Sequence, residues 1–81
     1  MNRDMLNLAS DLRRAAYWLH DGRIALSKSF LQNAQKKYTI KNTKYLNITS
    51  ELDKINSLEE GKDKAAERAL TLSNILLAAF G

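Results

Sequence analysis

The chain contains no cysteine, no proline and no valine, and only three glycines, Gly22, Gly61 and Gly81. The missing cysteine excludes disulfides, thiolate metal ligands and cysteine nucleophiles. Its single histidine, His20, excludes the two-histidine helix of a metalloprotease. No glycine-rich run is present to cradle a phosphate, and no cofactor motif can be read. Aromatics are few: Trp18, three tyrosines and two phenylalanines. At 81 residues the chain is read as a single domain, 1–81.

What is present favours helix. Thirteen leucines and ten alanines, which lose little rotamer freedom in a helix, stand against nine β-branched residues (five Ile, four Thr). The expected fold is therefore all-α, a small up-down helical bundle. Residues 4–20 place Met5, Leu8, Ala9, Leu12, Ala15, Ala16 and Leu19 on one stripe, and Asp21-Gly22 closes the segment with a left-handed cap. A second helix over residues 23–37 buries Ile24, Leu31 and Ala34 with Phe30 beside them. A polar bridge, 38–43, precedes a third helix over 44–58, whose seam is Tyr45, Ile48, Leu52 and Ile55, with Asn42 or Thr43 as N-cap. Gly61 breaks the pattern, and a last helix covers 62–80. It is apolar well over half way round, and Glu67, Thr71 and Asn74 form its polar strip. Four helices are expected, or three if the last two segments run on through Gly61.

Short connections favour antiparallel neighbours. One end of such a bundle gathers the 38–43 bridge and both termini, and the other gathers 20–23 with 58–63. Charge then separates. Residues 23–45 hold six cations and no anion, within a net charge of +4. Lys36, Lys37, Lys41 and Lys44 crowd one end, an anion- or nucleic-acid-binding candidate in which Tyr38 and Tyr45 interleave. The opposing reading is a solvated loop that keeps a small protein soluble. Glu59, Glu60 and Asp63 crowd the other end, with Glu60 and Lys64 spaced as a helical ion pair.

A helix as apolar as the last belongs in the centre of a bundle or at a subunit interface. Leu72, Leu76 and Phe80 are the residues expected to form that interface, together with Trp18 or Tyr17. On an ideal helix Trp18 projects about 120° to one side of Leu12 and Tyr17 about 140° to the other. Large aromatics off the core stripe either anchor an interface or are wrapped by neighbouring helices.

His20 reads first as a last-turn residue facing the negative end of its helix dipole. Beside Asp21 and opposite Glu59, Glu60 or Asp63 it could also share a cation, although loop carboxylates near a glycine commonly act as caps. Arg14-Ala-Ala-Tyr-Trp-Leu-His20 resembles the Arg–x(4–6)–His motif of HEPN-type helical ribonucleases. That resemblance implies RNA cleavage by Arg14 and His20, with Ala15 where the family has a polar residue. No nucleophile otherwise lies near a base in sequence.

The function expected from the sequence is non-enzymatic: protein–protein association, as a homodimer or with another helical protein. A nucleic-acid or acidic partner at the basic end is the alternative. No segment is long and apolar enough to span a membrane, since residues 69–80 are too short and carry Thr71, Ser73 and Asn74. The stretch around Asp4 and Asp11 lacks the apolar core of a signal peptide. The chain thus reads as cytoplasmic.

Overall fold

The computed structural model describes residues 3–38, 40, 42 and 46–81. Four helices follow one another: α1 (Arg3–His20), α2 (Ile24–Lys37), α3 (Ile48–Ser57) and α4 (Lys62–Phe80). No strand occurs among the described residues. The helices pack in a ring: α1 against α2, α2 against α3, α3 against α4, and α4 back against α1, the last pairing being the most extensive.

The α1 stripe is buried as its periodicity requires, with Met5, Leu8, Ala9, Leu12, Ala15, Ala16 and Leu19 all inside. Gly22 ends the helix at φ +81°, where the Gly22 and Arg23 amides donate to Leu19 O (3.1 Å) and Trp18 O (2.8 Å). This double return of amides to the last turn is what a glycine in the left-handed region permits.

Helix α3 begins at Ile48, later than its apolar seam suggests, because Asn47 caps it by accepting from Ser50 N at 2.9 Å. Asn42 also serves this end, its Oδ1 accepting from Ile48 N (2.7 Å) and Thr49 N (3.2 Å). Thr43 and Tyr45, the other cap candidate and the first seam residue, lie outside the described residues. The third and fourth segments do not run on as one helix. Leu58 takes φ +56° and Gly61 φ +93°, which turn the chain back, so the four-helix form holds.

Antiparallel α1 and α4 meet through buried small side chains, Ala9 on one and Ser73 on the other. Ser73 Oγ donates to Ala9 O at 2.7 Å within this contact. At one end Lys62 Nζ donates to His20 O (3.2 Å), and at the other Gly81 lies beside Leu6. No helix of the described residues is long and apolar enough to cross a membrane.

Candidate interaction surface

The breadth of α4's apolar face has an internal cause. Its two flanks pack against α1 and α3, so an apolar arc wider than one stripe is consumed inside the chain. Leu72 (3% exposed) and Leu76 (0%) are core residues, which removes both from the expected interface. Phe80 is half-buried and packed on the same core.

The two aromatics of α1 part company. Trp18 is half-buried, its ring meeting Phe30 of α2 edge-on with centroids 4.9 Å apart and planes at 76°. A T-shaped pair of this kind suits the quadrupoles of both rings. Trp18 is thus wrapped by its neighbour and does not stand free as an anchor. Tyr17, on the opposite flank, is 70% exposed.

Tyr17 sits on the seam where α1 meets α4. Two adjoining depressions run along this seam. One is lined by Arg13, Ala16, Tyr17, His20, Leu70 and Asn74, and the other by Ala9, Ser10, Arg13, Arg14, Tyr17, Ser73 and Leu77. Leu70 and Leu77, seven residues apart on α4 and so nearly in line, are themselves partly exposed at 37% and 41%. Apolarity missed by the interface expectation therefore lies on α4's shoulder at Leu70 and Leu77. The seven-residue spacing carried that signal, but only the position of α1 shows which part of α4 it leaves open.

The cations on the seam are little used internally. Arg13 makes one 3.4 Å contact, to Asn74 Oδ1, and Arg14 has no hydrogen bond or ion pair among the described residues. His20 Nδ1 lies 3.4 Å from Asp63 Oδ1, an exposed pair joining the end of α1 to the start of α4. Arg14 and His20, the couple implied by the ribonuclease resemblance, line different depressions. It is Arg13 that shares one with His20.

At the acidic end Asp63 is matched by His20 and by Lys62 (3.4 Å). Glu60 pairs with Arg68 at 3.2 Å, while Lys64 pairs with Glu67 at 3.8 Å, in place of the expected Glu60–Lys64 couple. Among the described residues no three His, Asp or Glu side chains converge to hold a metal ion. At the basic end Lys36 and Lys37 are exposed, with Lys37 Nζ 5.5 Å from the centre of the Tyr38 ring. Lys41 and Lys44 lie outside the described residues. Tyr38 does not stack outward: its hydroxyl donates to Asp11 Oδ2 at 2.8 Å.

No family model, curated protein or solved structure matches this chain.

Proposed function

We propose that this protein works by protein–protein association, as a homodimer, through the α1–α4 seam centred on Tyr17. The observation that carries the reading is a phenol ring 70% exposed between the partly exposed Leu70 and Leu77, beside Arg13, which makes a single 3.4 Å contact, and Arg14, which makes no hydrogen bond or ion pair among the described residues. Tyrosine and arginine are among the side chains most enriched at the energetic centres of interfaces. A chain this short also buries a small core, so a second copy adds burial that it cannot supply alone. The reading is non-enzymatic, and a cysteine-free composition suits the reducing cytoplasm.

Light scattering coupled to size exclusion, at low and high salt, tests this directly. The expected mass is twice that of one chain under both conditions, because apolar burial is not screened by salt. Tyr17→Ser should shift the population to monomer while leaving the helical circular dichroism intact. A wild-type monomer at every concentration overturns the proposal.

Lys36 and Lys37 support a second reading, an anionic partner at the basic end. It requires binding that falls steeply with salt and is lost in Lys36→Glu/Lys37→Glu.

A further inference from the structure

Arg13, Tyr17 and Asp21 are spaced four residues apart, and all three are exposed. Steps of four on an α-helix turn by only about 40°, so these side chains form one gently curving row, Arg13 and Asp21 each about 6 Å from Tyr17 along the axis. Asp21 stays in register with the helix, since its amide donates to Tyr17 O at 3.0 Å. Its carboxylate has no hydrogen bond or ion pair among the described residues. Asp63 nearby is already matched by His20 and Lys62. On the other side of Tyr17, Arg14 adds a second exposed cation, with no hydrogen bond or ion pair among the described residues.

The row is therefore positive on one side of an exposed aromatic and negative on the other. A half-turn about an axis through Tyr17 maps each sign onto its opposite. Closed two-chain assemblies use this self-complementarity: the same patch on both copies, with residue i facing j and j facing i. A parallel arrangement would instead set arginine against arginine.

Resting on the reading of the seam as a self-association surface, we infer that the second copy docks with its α1 antiparallel to the first. The twofold axis passes near Tyr17, and Arg13 of each chain faces Asp21 of the other. Tyr17, with Leu70 and Leu77 beside it, supplies the apolar centre. The two symmetry-related charge pairs fix direction and register more than they add affinity.

Charge reversal tests this. Arg13→Glu turns both pairs of the dimer into facing carboxylates, and Asp21→Arg turns both into facing guanidiniums. Each variant should dimerise about tenfold more weakly than wild type in sedimentation equilibrium at low salt. An equimolar mixture of the two variants forms a heterodimer in which one pair is wild-type and the other has its signs exchanged. The Arg13→Glu chain then carries only carboxylates in this row and the Asp21→Arg chain only guanidiniums, so each pair sets a carboxylate of the first against a guanidinium of the second. Both pairs are then attractive, and the mixture should recover wild-type association. The double variant Arg13→Glu/Asp21→Arg should recover it as a homodimer. Both positions are exposed, so circular dichroism should stay unchanged throughout.

Single variants as dimeric as wild type, or a mixture no more associated than its components, overturn the antiparallel pairing. If Tyr17→Ser still dissociates the wild-type dimer in that case, the seam stands and only this arrangement falls. A monomeric wild type removes both.

Discussion

The Tyr38 hydroxyl donates a 2.8 Å hydrogen bond to Asp11 Oδ2, fastening the residue that ends α2 to the middle of α1. Burial pushes this phenol up from 10.0 to about 12, helped by the hydrogen bond to Asp11 and the negative charges of Asp11 and Asp4, and opposed by Arg14. A raised value means that the folded chain favours the protonated phenol. The stabilisation is thus fully present below pH 10.0 and lost as pH rises toward about 12. Tyr38→Phe should cost about 1–2 kcal/mol at neutral pH. In urea titrations repeated across alkaline pH, the gap between wild type and variant should narrow over that same window. A gap that stays constant would place the interaction elsewhere.

Helix α3 has only ten residues and leans on two asparagine side chains at its start. Asn47→Ala removes the local cap and should cost about 1 kcal/mol. Asn42→Ala leaves the Ile48 and Thr49 amides without their side-chain acceptor and should cost about as much. The two serve one helix end, so the double variant should fall short of the sum. Thermal unfolding of the four proteins decides it, and a neutral Asn42→Ala would remove the distant cap from the account.

Helix positions were legible because leucine and alanine spacing repeats the helical period and Gly22 and Gly61 stand at the breaks. The buried residues of α1 are those of its stripe without exception. The start of α3 was not legible, since Tyr45 heads the apolar seam in the sequence whereas α3 begins at Ile48, after the Asn47 cap. The surface was harder. A helical wheel gives directions around one helix but not which directions a neighbour covers. Trp18 and Tyr17 flank the same stripe, yet Phe30 lies on the side of the first and the open seam on the side of the second. Leu76 and Leu77 read alike as letters, and only the packing of α4 separates core from shoulder.

That separation has a measurable consequence. Leu76 is fully buried, so Leu76→Ala should destabilise the chain by about 2–5 kcal/mol through lost burial and the cavity left behind. Leu77 is 41% exposed, and Leu77→Ser should cost about 1 kcal/mol or less in stability while weakening self-association. Urea unfolding and light scattering on both variants should therefore rank them in opposite orders. The same rank in both assays would mean that the shoulder of α4 is structural only.

Two buried serines make the last comparison. Ser73 Oγ donates to Ala9 O across the α1–α4 contact, whereas Ser27 Oγ, equally buried, meets no partner among the described residues. Burying a hydroxyl without a hydrogen bond costs free energy, and a satisfied one offsets that cost. Ser73→Ala should accordingly lower stability by about 0.5–1.5 kcal/mol, while Ser27→Ala should be neutral or raise it by up to about 1 kcal/mol. Each substitution removes one oxygen from a helix and leaves a better helix former in its place, so propensity favours both variants equally. The difference between their urea midpoints then isolates the Ser73–Ala9 bond. Equal midpoints would mean that this bond contributes nothing to holding α4 against α1 beneath the seam.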